Sequence, residues 1–236
     1  MKLRASSILS AIAVTAATAV TLAVTTTACL RGMVPKTNEN DIAVVVGDLN
    51  AYSSASRLQR CRYERYADRA SADGNRTAAG LFTALARSEH IHENACARAA
   101  GLLKAQCRTV DAAAFAITDT KGNLRRSIEE ERARHETQGE AVAHAIEAKS
   151  YYTARILIWI DGTNRRHIEL LEKCLLAAEN QQPCDGCEYD VCPMCGNVYE
   201  ADNRDAYCPL CRTHNSEFES FGRLQSYQTV ADGIHD

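Results

Sequence analysis

The sequence predicts a mainly α protein: a four-helix bundle followed by a small domain organised around a bound metal. Three observations carry this. Four long segments repeat apolar residues at three- and four-residue intervals, the spacing of one helix face. Turn formers are scarce, with 4 Pro and 12 Gly in 236 residues, while Ala, Glu, Arg and Leu dominate the middle of the chain. Of the 11 cysteines, six fall between Cys184 and Cys211, all in Cys-x-x-Cys pairs. Such clustering points to metal ligation before it points to a disulfide scaffold. The length allows one sizeable core plus an appendage. A formal net charge of −3 lacks the basic excess of a nucleic-acid binder, so no nucleic acid is expected as partner.

At the N-terminus, Lys2 and Arg4 precede an uncharged stretch from Ala5 to Leu30 rich in Ala, Val and Thr. This reads as a secretory signal over residues 1–29, which places the protein in the cell envelope or periplasm. Thr26-Thr27-Ala28-Cys29 resembles a lipoprotein cleavage box with Cys29 as the lipidated residue, although Thr26 stands where such boxes favour Leu. Simple cleavage and an uncleaved membrane anchor are the alternatives, since 26 uncharged residues can span a bilayer. A tether over 30–48 follows.

The bundle is expected over 49–180, with helices at 49–73, 75–104, 122–148 and 150–179. Gly74 separates the first pair. Residues 105–121 form a crossover, and Thr120-Lys121-Gly122-Asn123 resembles a helix start. Two helical hairpins joined by a long connection is a familiar bundle topology. The inward stripe of the second helix runs Ala78, Phe82, Leu85, Glu89, His92, Cys96, Ala99, Leu103. That of the third runs Leu124, Ile128, Glu131, His135, Gln138, Val142, Ala145. That of the fourth runs Thr153, Leu157, Ile160, Asn164, His167, Leu171, Cys174, Ala178. Each is interrupted at mid-helix by ligand-type residues. Burying a carboxylate or imidazole there costs several kcal/mol unless it is paired or bound to metal.

After a linker at 181–191, the module at 192–221 carries Cys192-Pro193-Met194-Cys195-Gly196 and Cys208-Pro209-Leu210-Cys211, with twelve residues between the pairs. Each pair forms a knuckle offering two sulfurs, and two knuckles complete a tetrahedron for iron or zinc. Cys192, Cys195, Cys208 and Cys211 are therefore the expected ligands. Cys184 and Cys187 read as a small disulfide, with a redox-active dithiol and competition for the metal as alternatives. Cys61, Cys96, Cys107 and Cys174 read as buried or partly buried thiols, with a Cys96–Cys174 bridge conceivable. The tail, 222–236, is uninformative.

Di-iron bundles place a Glu on each of two helices and Glu-x-x-His on each of the other two. Glu89-His90-Ile91-His92 fits, Glu131 supplies a lone Glu, and the fourth helix reads Asn164-Arg165-Arg166-His167. The 33-residue offset from Glu131 to Asn164, counted back from Glu89, lands on Ser56. The first-helix stripe, Tyr52, Ser56, Gln59, Tyr63, Tyr66, Ala70, contains no carboxylate. Its tyrosines read as aromatic packing with hydroxyl partners.

Over about residues 49–220 the chain resembles the rubrerythrins. The resemblance is carried by Ala78-Ala79-Gly80-Leu81-Phe82, Ser88-Glu89-His90-Ile91-His92, the opening of the third helix and the four-cysteine module closed by Phe218 and Phe221. It implies a ferritin-like bundle with a rubredoxin-like C-terminal domain, and a di-iron site that reduces peroxide to water. It also implies electrons relayed from the cysteine iron, commonly across a head-to-tail homodimer, and an external reductase as donor. Glu89, His92, Glu131 and His167 match family metal ligands and are the expected catalytic set. Ser56 and Asn164 occupy ligand positions without being carboxylates, and Arg134 stands where rubrerythrins carry a further Glu. Arg212 replaces a residue that is often small in rubredoxins.

Two divalent irons bring four positive charges, of which Glu89 and Glu131 offset two. A single ion on Glu89, His92, Glu131 and His167 is better balanced, and a metal-free network including Arg134 is the further alternative. His135 reads as a hydrogen-bonded core histidine or an extra ligand, and Arg165 and Arg166 as solvated charges. The sequence thus predicts a non-haem iron redox protein that reduces peroxide at a bundle site holding one or two iron ions, fed through a cysteine iron. The competing reading is an electron carrier or redox sensor, or a zinc-ribbon binding module, on a metal-free bundle.

Overall fold

A computed structural model describes residues 38–108, 114–136, 138–180 and 188–222. The signal-like segment with Cys29, the Cys184–Cys187 pair and the tail after residue 222 lie outside the described residues. Five helices are present among them: α1 (Glu39–Ala72), α2 (Arg76–Leu102), α3 (Thr120–Glu136), α4 (Gln138–Glu147) and α5 (Tyr151–Glu179). The third expected helix is thus two segments, α3 and α4, and the side chain of Gln138 lies outside the description.

Helix α1 begins well before residue 49, inside the expected tether. Val44-Val45-Val46-Gly47 is poor helix-forming sequence, yet Val45 and Leu49 are fully buried against Ala95, Ala99, Leu157 and Ile160. Tertiary burial overrides propensity there. Between α1 and α2 the chain turns at Gly74, with φ +77°, and Asn75 Oδ1 accepts the Ala78 N–H at 2.9 Å as an N-cap. Asp73 in this turn also fixes the start of α3, accepting from the Thr120 amide at 2.9 Å and the Thr120 hydroxyl at 2.7 Å.

The bundle has two apolar blocks. One contains Tyr63, Tyr66, Phe82, Leu85, Leu124, Ile128 and Leu171. The other contains Val45, Leu49, Cys96, Ala99, Ala145, Leu157 and Ile160. Along α1, α2, α3 and α5 the buried ligand-type residues fall between these blocks. Ser56, Glu89, Glu131, Asn164 and His167 are fully buried, and His92 is 1% exposed. No described helix is long and apolar enough to cross a membrane.

The C-terminal module is a three-stranded antiparallel sheet of β1 (Tyr189–Val191), β2 (Val198–Glu200) and β3 (Glu219–Phe221), ordered β2-β1-β3. Tyr199 stacks on Phe218 with ring centroids 5.0 Å apart, closing the module over its cysteines. It seats on α2 and α5. Arg87 forks onto Glu219 with two hydrogen bonds of 2.7 Å, and Arg166 Nε donates to the Val198 carbonyl at 3.2 Å. At Gly162 on α5, a Cβ would stand 2.9 Å from Leu210 Cδ2, so a larger residue there would displace the Leu210 side chain where the helix meets the second knuckle.

Candidate metal centres

The four-cysteine centre is built by two similar turns. In each, the amide after the second cysteine donates to the carbonyl of the first, Gly196 to Cys192 at 2.9 Å and Arg212 to Cys208 at 2.8 Å. Both closing residues have positive φ, +82° at Gly196 and +68° at Arg212. Arg212 accepts that left-handed conformation and lays its guanidinium over Tyr207, 5.6 Å from the ring centroid. Sulfurs of Cys192 and Cys211 are 3.4 Å apart, those of Cys195 and Cys208 3.5 Å, and all four lie within 4.8 Å of one another. A tetrahedron with bonds of about 2.3 Å has sulfurs about 3.8 Å apart, so the set fits one ion. A disulfide would need about 2.05 Å.

In the bundle, each of α2, α3 and α5 aims an i, i+3 pair at one point: Glu89 and His92, Glu131 and Arg134, Asn164 and His167. Ligand atoms of Glu89, Glu131 and His167 lie within 4.8 Å of one another. His167 Nδ1 is 3.4 Å from Glu131 Oε1 and 3.8 Å from Glu89 Oε1. His92 Nδ1 is 3.3 Å from Glu89 Oε2, and the two imidazoles stack 6.1 Å apart. From α1, the Tyr63 hydroxyl donates to Glu131 Oε1 at 2.7 Å.

The tautomers follow from the outer partners. Ser88 Oγ donates to the Gly196 carbonyl at 2.7 Å, so its proton is committed, and His167 Nε2 must carry the hydrogen it gives to Ser88 Oγ at 2.9 Å. His92 Nε2 faces the Cys195 carbonyl at 3.2 Å, an acceptor only, and so is protonated as well. Each imidazole therefore turns Nδ1 toward carboxylate oxygens. A lone pair facing carboxylates requires a cation or proton between them, and fixing the remote N–H is how metal-ligating histidines are oriented. Glu131 Oε2 is buried without a hydrogen-bond partner among the described residues, as are Ser56 Oγ and Asn164 Nδ2.

Arg134 points inward. Its Nη1 donates to Glu89 Oε1 at 2.9 Å and lies 3.6 Å from Glu131 Oε1, while Nη2 donates to Asn164 Oδ1 at 3.5 Å. Burial alone pushes the Glu89 carboxyl up. The Arg134 guanidinium, the largest opposing influence, outweighs it and holds the group well below the usual carboxylate range. Glu131 follows the same pattern, burial opposed first by Arg134, with the net shift downward. Burial, then Glu131 and Glu89, raise the Tyr63 phenol, which stays protonated as a donor. Glu89, Glu131 and His167 offer ligand atoms that can share a cation. A second would meet Arg134 at the same two carboxylates.

Other expectations fare differently. His135 is not a core histidine and is not one of the clustered ligand residues: its side chain is 36% exposed and pairs with Asp161 at 2.7 Å. The i+4 step from Glu131 drifts off the buried face. Arg165 is a surface charge paired with Asp161, but Arg166 reaches the module. Cys61, Cys96 and Cys107 are free thiols, and Cys96 and Cys174 lie in different apolar blocks, so no bridge joins those two. Ser88 and Gly196 were not singled out by sequence reasoning, although Leu85, Ser88 and His92 share the three- and four-residue spacing of an inward face.

Bundle and module together define a class: a non-haem iron protein combining a ferritin-like four-helix bundle, with a carboxylate–histidine cluster, and a rubredoxin-like four-cysteine site. The rubrerythrin family profile matches residues 54–175, just over half of the chain, and the chain belongs to the rubrerythrin family. Among solved structures, nigerythrin in its fully reduced, all-ferrous state superposes with a TM-score of 0.67 at 19% identity, covering 75% of this chain and 86% of that one. Its mixed-valent state gives 0.64 at 18% identity, and its partially reduced state 0.63 at 19%, with the same coverages. At these identities the likeness is one of fold. No curated protein sequence matches the chain.

Proposed function

We propose that this protein reduces hydrogen peroxide at the bundle cluster, drawing electrons through an iron held by Cys192, Cys195, Cys208 and Cys211. One observation carries the reading: Cys195, whose sulfur belongs to the four-cysteine site, offers its own carbonyl to His92 of the bundle at 3.2 Å. One residue and one hydrogen bond therefore join the two centres. Gly196 makes the approach possible, since a Cβ there would stand 2.7 Å from His92 Nε2 and 2.9 Å from Ser88 Oγ. Iron at the cysteines supplies one-electron redox chemistry, which zinc would not.

Peroxide reduction breaks one O–O bond and consumes two electrons and two protons to give two waters. The electrons come from a one-electron donor outside the chain. Glu89, Glu131 and His167 would hold a divalent ion in the bundle, with His92 beside them. Ser88 fixes the Nε2–H of His167, and the Cys195 carbonyl fixes that of His92, so Nδ1 of each stays directed at the carboxylates. Tyr63 holds Glu131 and keeps its own proton. Burial of the cluster excludes bulk water, which strengthens every charge interaction within it.

The Arg134–Glu89 pair favours a second reading, in which the bundle is a metal-free scaffold and the protein is an electron carrier or redox sensor. The two separate in a single-turnover experiment: the reduced full-length protein is mixed with hydrogen peroxide while the visible absorption of the cysteine iron is followed. Glu89→Ala and Glu89→Gln should slow reoxidation at least 100-fold and leave that absorption intact. An unchanged rate in both moves the assignment to the second reading.

Export to the envelope, with Cys29 as a lipid anchor, is also part of the proposal. It rests on the Lys2/Arg4 segment, the apolar run and the small residues before Cys29, and the mass of the mature N-terminal peptide reads it directly. A homodimer is proposed from family membership. Two copies exchanging modules would bring the same His92 and Cys195 atoms together.

A further inference from the structure

We propose that Arg134 stands in for one cation of the bundle, so that the site carries a single divalent ion beside a fixed guanidinium. The inference rests on the reading above that the bundle binds metal. Three independent features support it.

The first is position. Nη1 of Arg134 lies 2.9 Å from Glu89 Oε1 and 3.6 Å from Glu131 Oε1, bridging the two carboxylates of the cluster. It arrives there from α3, one turn after Glu131, on a side chain only 17% exposed. Leaving the site would strand a fully buried carboxylate, a costly act.

The second is the absence of other anions among the described residues of the cluster. Ser56 and Asn164, both fully buried at the corresponding places on α1 and α5, are neutral. Asn164 turns its Oδ1 toward Arg134 rather than supplying a charge. Two carboxylates facing the guanidinium and two divalent ions would leave three uncompensated positive charges out of water. With one ion the excess is a single charge, spread over a planar guanidinium and bounded by hydrogen bonds.

The third is that Arg134 does not satisfy the whole cluster. Nδ1 of His167 faces Glu131 Oε1 and Glu89 Oε1, and Glu131 Oε2 has no partner among the described residues. These groups converge at the place where Glu89, Glu131 and His167 lie within ligand distance of one another. The geometry thus holds one position filled by the protein's own cation and one where a carboxylate oxygen and an imidazole nitrogen are left to receive a cation from outside.

The test is an anaerobic ferrous titration of the full-length protein with its cysteine site loaded. Elemental analysis counts the iron bound beyond that site, and thermal unfolding with and without metal gives a readout independent of turnover. Wild type should hold one further ion, and Arg134→Lys, which keeps the charge, should also hold one. Arg134→Glu, which adds a carboxylate and removes the cation, should hold two. Should that variant fail to fold, Arg134→Gln serves instead, and its single ion should bind at least tenfold more tightly than in wild type. Two further ions in wild type or in Arg134→Lys overturn the inference while leaving peroxide reduction standing. Unchanged count and affinity in both Arg134→Glu and Arg134→Gln also overturn it. No further ion in wild type sinks the inference and the bundle-metal reading together. One ion without peroxide turnover sinks only the function.

Discussion

Glu131 is held by three residues from three sources: Tyr63 of α1 through a 2.7 Å hydrogen bond, His167 of α5 at 3.4 Å, and Arg134 one turn along its own helix at 3.6 Å. A hydrogen bond to a buried charged group contributes about 1.5–3 kcal/mol. Tyr63→Phe should therefore lower the unfolding free energy by about 2 kcal/mol, read by urea denaturation with the cysteine site loaded. A change near zero would mean that Tyr63 only packs, against Phe82 with ring centroids 5.9 Å apart. At this scale the sequence was informative wherever the chemistry belongs to a side chain. Glu89, His92, Glu131 and His167 stood out because they break apolar stripes. Whether Arg134 turned inward was not legible, since helix spacing fixes a face and not a rotamer. The roles of Ser88 and Gly196 were hidden because they act through backbone carbonyls and close approach, which leave no residue-type signature.

The elements are positioned by contacts at their ends. Asp73, in the turn between α1 and α2, accepts both the amide and the hydroxyl of Thr120 and so ties the second hairpin to the first. The Thr120 hydroxyl most of all, then the Thr120 amide and Arg69, outweigh partial burial and hold the Asp73 carboxyl below its usual range. A carboxyl with a lowered folded-state value stabilises above its unfolded value, about 3.9, and loses that contribution as pH falls through the folded one. Asp73→Ala should cost about 1 kcal/mol at neutral pH, like other lost caps. The difference from wild type should shrink below pH 4, as followed by thermal unfolding across pH. A penalty independent of pH would assign Asp73 a purely steric role. The spacing of apolar residues revealed the four-helix pattern, including the long connection before α3. The start of α1 escaped it because three valines and a glycine argue locally against helix, and only burial of Val45 and Leu49 argues for it. The separation of α3 from α4 carried no signal in the apolar stripe, which runs through both.

For the molecule as a whole, the consequential feature is where the module sits. Bundle and four-cysteine knuckles were each legible in the sequence, because each has its own periodicity. Their mutual placement was not, because it depends on surface groups that read singly as ordinary: Arg87 with Glu219, Arg166 with the Val198 carbonyl, Gly162 beneath Leu210. Together they bring the Cys195 carbonyl against His92. That arrangement has a redox use only if the cysteines carry iron, since the sulfur geometry accepts zinc equally well. The deciding measurement is the metal bound by those cysteines in full-length protein purified without oxygen, by elemental analysis alongside visible absorption. Iron is expected, with an absorption that bleaches on reduction and returns on addition of hydrogen peroxide. Zinc in the cysteine site, with no such absorption, would contradict it and leave the module a structural clasp on the bundle.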